Sequence, residues 1–167
     1  KESQKVIFNY KPILLGGLHN LVGINAPAFN KYKMKNMQSD CEIVSKKNNI
    51  SFMWNSKFPI NSLSIMRGFI SLNETQKDDY LNTFFDAYWK GNLDLSSEKK
   101  FSELLGSLKI DSKIFFEKIK QQSIKDDLKK LTSDSFEKEV FGAPTFIVNN
   151  KIFWGQDRLE YALEELN

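Results

Sequence analysis

Residues 141–159, F-G-A-P-T-F-I-V-N-N-K-I-F-W-G-Q-D-R-L, decide the fold. Thr145–Val148 is a β-branched and aromatic run, Asn149-Asn150 is a pair able to take positive φ, and residues 152–154 return, which predicts a β-hairpin. Pro144 stands immediately before the first strand, where it has no N–H to give to a ladder. Two readings of Gly142-Ala143-Pro144-Thr145 stand side by side. Pro144 is a plain strand-entry proline, or it is a cis proline whose preceding residue, Ala143, offers its backbone N–H and C=O to an extended, peptide-like ligand. On the far side of the hairpin, Gly155-Gln156-Asp157-Arg158 opens a closing amphipathic helix carried by Leu159, Ala162, Leu163 and Leu166. There Asp157 either offsets the helix dipole alone or joins Gln156 in holding an amino-acid head group, whose carboxylate would face the helix N-terminus.

Upstream of the hairpin, residues 61–141 carry a helical pattern almost throughout. Asn61 and Ser62 precede Leu63, Met66, Phe69 and Ile70; Leu81, Phe84, Phe85, Tyr88 and Trp89 follow the helical spacing until Gly91; and Phe101, Leu104, Leu105 and Leu108 repeat it after Ser96-Ser97. Asp111 and Ser123 are read as the starts of two more helices. These aromatic stripes predict a packed helical subdomain. Residues 6–10 are expected to form a strand closed by Lys11-Pro12, and residues 16–30, rich in turn formers, a long functional loop. Lys31–Lys47 is expected to be helical, with Met34, Met37, Cys41 and Val44 on one stripe and Cys41 a buried small hydrophobe.

The order strand, helices, hairpin, helix is a mixed α/β plan with a helical insertion. With 167 residues, 41% hydrophobic and 13% aromatic, the chain fits one globular domain with an insertion and is no disordered tail. A formal charge of +3, with lysines dispersed among acids, gives no stripe for nucleic acid or an anionic membrane. The only arginines are Arg67 and Arg158. A single cysteine and a single histidine, Cys41 and His19, rule out an intramolecular disulfide, a CxxC pair and a cysteine- or histidine-rich metal site within these residues. The lone cysteine also points to a reducing, cytoplasmic interior.

Residues 141–159 resemble the C-terminal end of the kappa-class glutathione transferases and the related 2-hydroxychromene-2-carboxylate isomerases. The similarity runs on through Lys11-Pro12-Ile13-Leu14-Leu15-Gly16-Gly17, through Phe58-Pro59-Ile60-Asn61-Ser62-Leu63 with Met66-Arg67, and through Tyr88-Trp89, in the family's order. It implies a thioredoxin-like fold of class α/β interrupted by an all-helical insertion, with residues 1–30 and 141–167 in the thioredoxin-like part and residues 31–140 in the insertion. It also implies glutathione as cofactor, a small electrophilic or unsaturated cyclic substrate, and a homodimer. Carried onto this chain, the cysteinyl part of glutathione falls beside Ala143 and Pro144, and the γ-glutamyl head group on Gln156 and Asp157 with Arg158 in support. A family asparagine falls on Ile24, so Asn25 next to it is expected to substitute, and Lys31 and Lys33 are expected near the glutathione carboxylates.

The family's opening strand–turn–helix, whose serine hydroxyl favours the glutathione thiolate, has no counterpart here. The expectation is that this unit, and with it the catalytic serine, lies upstream of Lys1, as would any targeting segment. The favoured activity is a glutathione-dependent transferase or isomerase: thiolate addition ends at a conjugate in the first case, and is followed by bond rotation and elimination in the second. Two alternatives remain at this point. One is a thiol-disulfide oxidoreductase of the same fold whose CxxC lies upstream, and the other is a non-catalytic binding module.

Overall fold

The computed structural model describes residues 6–166. Eight α-helices, two 3-10 turns and one two-stranded hairpin follow in the order α1 (Leu15–Val22), a 3-10 turn (Pro27–Phe29), α2 (Lys31–Lys47), α3 (Leu63–Ser71), α4 (Glu74–Trp89), α5 (Glu98–Ser107), α6 (Ser112–Lys118), α7 (Gln122–Glu137), β1 (Thr145–Val148), β2 (Lys151–Trp154), a second 3-10 turn (Gln156–Arg158) and α8 (Leu159–Glu164) among the described residues.

Helices α3 to α7 form because apolar side chains recur at helical spacing, and the starts of α4, α5 and α6 are capped. The Ser97 hydroxyl accepts the Lys100 N–H, Asp111 Oδ1 accepts the Ile114 N–H at 2.9 Å, and Asn73 and Gln76 make a reciprocal capping box at α4. The stripes meet in a core of aromatic rings. Tyr80 and Phe84 lie 4.3 Å apart, Phe84 and Phe101 4.8 Å, and Phe101 and Phe115 5.6 Å, spacings at which rings attract beyond their area burial. Leu105 is fully buried among them. Asp111→Ala is expected to cost about 1 kcal/mol, the usual worth of an N-cap, read as a shift of the urea midpoint at unchanged slope.

Helix α7 ties this cluster to the rest, packing against both α3 and α1. Thr132 on α7 donates its hydroxyl to the Leu128 carbonyl and accepts the Leu14 N–H at 2.9 Å, joining segments 118 residues apart. Leu18 of α1 is fully buried.

The hairpin pairs Thr145 with Trp154, Phe146 with Phe153, Ile147 with Ile152 and Val148 with Lys151 in antiparallel register. Asn149 and Asn150 both take positive φ, 49° and 62°, as a turn matching the right-handed strand twist requires. The turn is pinned to the end of α8 by the Asn149 amide, which donates to the Glu165 carbonyl, and by a 2.8 Å Lys151–Glu165 ion pair. That pair also holds the Glu165 carboxyl below its ordinary range, the hydrogen bond from Lys151 being the leading cause.

Several expectations are corrected. Residues 6–10 are not a strand: they are exposed and bonded to no ladder, since among the described residues the sheet consists of β1 and β2 alone. Phe8 instead leans its ring on Phe146, 6.5 Å away. Residues 16–30 are not one irregular loop. Leu15–Val22 is helical despite Gly16 and Gly17, and Gly23, at φ 78°, supplies the left-handed cap that ends it. Cys41 is half-buried rather than buried, and no residue of α2 is buried. Burial, followed by the neighbouring Asp40 and Glu42, pushes its thiol above the ordinary value, so it stays protonated. The helix placed at Ser123 starts at Gln122.

Candidate functional site

The open end of the hairpin brings the two ends of the 141–159 stretch together. The Ala143–Pro144 peptide bond is cis. The Gly155 N–H donates to the Pro144 carbonyl at 2.9 Å, extending the ladder by one bond beyond the Thr145–Trp154 pair. Ala143 is exposed, and its own N–H and C=O hydrogen-bond to no described residue. An exposed backbone donor and acceptor therefore sit one residue from a carbonyl that is bonded to Gly155, and Gln156 follows immediately.

Gly155 has φ 110° and ψ 152°, a conformation essentially reserved for glycine. It turns the chain from β2 into the Gln156–Arg158 turn. This is a 3-10 turn leading into a six-residue α8, so the expected long electropositive helix mouth is absent, and side chains and local N–H groups carry the chemistry there. Gln156 and Asp157 are exposed. Asp157 Oδ2 lies 3.4 Å from the Arg158 guanidinium, which also sits 5.4 Å over the Tyr161 ring. Arg158 thus contacts both Asp157 and Tyr161. Gly142, buried on the other flank, faces the Trp154 indole so closely that a Cβ there would come within 2.5 Å of Nε1.

The remaining expected residues lie elsewhere in the fold. Asn25 is exposed in the connection between α1 and the Pro27–Phe29 turn. Lys31 and Lys33 open α2, where Asn30 Oδ1 accepts the Tyr32 and Lys33 N–H groups at 3.1 Å. Both lysines are exposed and neither forms an ion pair among the described residues. No hydrogen bond or ion pair connects these three residues to the hairpin end.

A second feature lies among the aromatic residues of the helical part. A cavity of about 440 Å³ lies between the α1 region and helices α3 and α4, within the size range of small-molecule sites. Phe29, Phe58, Phe84, Phe85, Tyr88 and Trp89 give it aromatic walls, and Ala26 and Ala28, which flank the Asn25 connection, reach its rim. The segment carrying Phe58 is clamped onto the end of α4 by Asn55, only 1% exposed, whose amide donates to the Tyr88 carbonyl at 2.9 Å and the Leu93 carbonyl at 3.1 Å. A second cis bond, Phe58–Pro59, lies in this clamped segment. Burial, helped by Asp94, pushes the Tyr88 hydroxyl up to about 12, so it is a donor throughout the neutral range. Arg67, the other arginine of the chain, has its Nε buried without a partner and is not among the cavity's walls.

The profile of the DSBA-like thioredoxin domain matches residues 1–167. The chain belongs to this family. A 2-hydroxychromene-2-carboxylate isomerase from Sphingobium xenophagum is 20% identical over 157 residues, covering 93% of this chain and 80% of that protein. A selenomethionine structure of a 2-hydroxychromene-2-carboxylate isomerase superposes with a TM-score of 0.83 at 24% identity, covering 95% of this chain and 80% of its own. The resemblance carried by residues 141–159 is thereby upheld, and so is the thioredoxin-like fold. The one cysteine of these residues, Cys41, lies on α2 with its thiol pushed above the ordinary value by burial. No group of histidine, cysteine and acidic residues able to hold a metal ion occurs among the described residues, and no described helix is long and apolar enough to cross a membrane.

Proposed function

We propose that this DSBA-like protein is a glutathione-dependent isomerase or transferase, holding the tripeptide at the open end of the hairpin and a small unsaturated cyclic substrate in the aromatic cavity. The observation that carries the reading is the Gly155 N–H to Pro144 carbonyl bond, 2.9 Å long, because it sets the exposed Ala143 backbone beside Gln156 and Asp157. An extended peptide recognises such a backbone edge through N–H and C=O pairing, and an α-amino group recognises a carboxylate. The residues present fit a tripeptide with a γ-glutamyl end: Ala143 would pair with its middle residue, Gln156 would donate to the carboxylate, and Asp157, held by Arg158, would accept the ammonium. Glutathione bound there would supply a thiol nucleophile. The chain's residues orient it, and the aromatic cavity keeps water from the second substrate. Lys31, Lys33 and Asn25 complete the proposal as contacts to the peptide's outer carboxylates and backbone.

Thiol-disulfide exchange is the rival, but exchange with protein disulfides has no use for a head-group pocket at Gln156 and Asp157, and Cys41, whose thiol is pushed above its ordinary value by burial, is a poor attacking group for it. Calorimetric titration with glutathione tests the reading. Saturable one-site binding is expected, weakened about fivefold by Asp157→Asn and by Gln156→Ala, the worth of one hydrogen bond each. Absence of saturable binding, or wild-type affinity in both variants, overturns it.

A further inference from the structure

The outer edge of β1 is unguarded. The Gly155 N–H bond to the Pro144 carbonyl fixes the phase of the ladder, because bonded pairs alternate along two antiparallel strands. Pro144, Phe146 and Val148 therefore turn their backbone groups toward β2, and Thr145 and Ile147 turn theirs outward. No described strand pairs with β1 on that side. Native proteins blunt such an edge with charge or proline, but Thr145–Val148 carries no charged residue, and the N–H that Pro144 lacks falls on the β2 side. The opposite edge differs: β2 begins at Lys151, which is ion-paired to Glu165. Apolar surface flanks the open edge, since Ile147 is 47% exposed and Val6, Ile7 and Phe8 are exposed too, with the Phe8 ring 6.5 Å from that of Phe146. A compact monomer of 19.4 kDa exposes about 8,500 Å², whereas this chain exposes 11936 Å², an excess of about 3,400 Å². A stable dimer of standard size takes only about 800 Å² from each partner.

We propose that β1 is a dimerisation edge: β1 of a second copy pairs with it antiparallel across a two-fold axis at Phe146, giving one continuous four-stranded sheet. The occupant is a polypeptide strand, because only a backbone presents N–H and C=O groups at the two-residue repeat that Thr145 and Ile147 set. A second copy meets this demand with the same edge. In that register Thr145 of each copy stands opposite Ile147 of the other, so four N–H···O=C bonds form and every outward group of β1 is used. Moving the axis to Ile147 would set Thr145 against Asn149, which is in the turn at φ 49°, and would use the edge less completely. The two Phe146 side chains meet at the axis as a non-bonded cross-strand pair, the closest kind, where aromatic pairs add to sheet stability. Such a contact is isologous and consumes the β1 edge of both copies. Ala143 takes no part in the four bonds, so this proposal and the glutathione reading can each fail without the other.

Sedimentation equilibrium of the full chain, run as a concentration series, is expected to show a species of twice 19.4 kDa. Ile147→Pro is expected to raise the dimer dissociation constant about thirtyfold, because it deletes one outward N–H, and so one interchain bond, from each copy. The deleted N–H faces away from β2, so the hairpin ladder is spared. Ile147→Lys keeps the whole backbone and adds the charge with which natural edges are guarded, and it is expected to weaken the dimer in the same direction. Amide hydrogen exchange supplies a readout that association through another surface would not move. The Thr145 and Ile147 amides are expected to exchange more slowly as concentration rises, while those of Phe146 and Val148, already facing β2, stay unchanged. A chain that remains at 19.4 kDa throughout the series overturns the proposal. So does a dimer that both variants leave intact, with Thr145 and Ile147 exchanging at a rate independent of concentration, since the interface would then lie elsewhere.

Discussion

Gly68→Ala is expected to destabilise the protein by about 3 kcal/mol, at the upper end for overpacking a core, and to lower the melting temperature by about 10 °C. Gly68 is buried in α3, and a Cβ there would press into the Phe115 ring and the Tyr80 hydroxyl. Neither can yield cheaply. Phe115 is 3% exposed and lies between Tyr80 and Phe101, 6.1 Å and 5.6 Å from their ring centres. Tyr80 is 1% exposed, and its hydroxyl is committed to the Ile65 carbonyl at 3.1 Å, so moving it breaks a buried hydrogen bond. The displacement would pass to Phe84, 4.3 Å from Tyr80 and part of the cavity wall. Urea denaturation measures the loss. Adding Tyr80→Phe to Gly68→Ala removes one of the two close atoms, and the double variant is expected to recover part of the loss relative to the sum of the single changes. Purely additive losses would show that Tyr80 does not resist the new methyl group.

The helical part of this fold was legible because its signals are local. Asp111 and Ser97 cap the helices that their positions predict, and Lys31–Lys47 is helical over the whole predicted span. Asn149-Asn150 states its own turn geometry. Residues 6–10 show the opposite case. Their β-branched and aromatic composition describes a side chain suited to a pleated surface, but a strand exists only where a neighbour supplies a ladder, and no described segment pairs with this one. Helix α1 was hidden for a related reason. Gly16 and Gly17 lower helix propensity, and what outweighs them is Leu18 against α7, together with the Leu14 N–H bond to Thr132, a partner 118 residues away.

The candidate site divides along the same line. Ala143, Pro144 and the Gly155-Gln156-Asp157-Arg158 segment could be placed together from the chain alone, since the length of a hairpin fixes which residues face each other at its open end. The cavity could not. Its walls come from α1, the Phe58 segment, α3 and α4, and nothing in the spacing of Tyr88 tells that its hydroxyl lacks a partner while that of Tyr80 has one. One signal was available: Phe58-Pro59 and Tyr88-Trp89 both belonged to the stretches of resemblance, and the structure brings them into contact, with the Phe58 and Trp89 rings 5.8 Å apart.

Gly155→Ala is expected to weaken glutathione binding about thirtyfold, the equivalent of about 2 kcal/mol of backbone strain set against the bound geometry. Gly155 sits at φ 110° and ψ 152°, where an L side chain is strongly disfavoured, and a Cβ would come within 2.6 Å of Asp157 Oδ1. The variant must therefore rotate the backbone at residue 155, turn the Asp157 carboxylate aside, or both. Rotation swings the Gly155 N–H off the Pro144 carbonyl and separates the Ala143 edge from Gln156, while turning the carboxylate removes the group assigned to the ammonium and disturbs its 3.4 Å contact with Arg158. Either response spoils the juxtaposition on which the binding proposal depends, and both lower stability. Asp111→Ala provides the comparison, since it also destabilises the fold but sits at the start of α6, in the helical core. Titration of both variants with glutathione, at a temperature where each is folded, is expected to show the affinity loss in Gly155→Ala alone. Wild-type affinity in Gly155→Ala would mean that glutathione, if bound, does not use the hairpin end, and would move the search for its site to the cavity and the Asn25 connection.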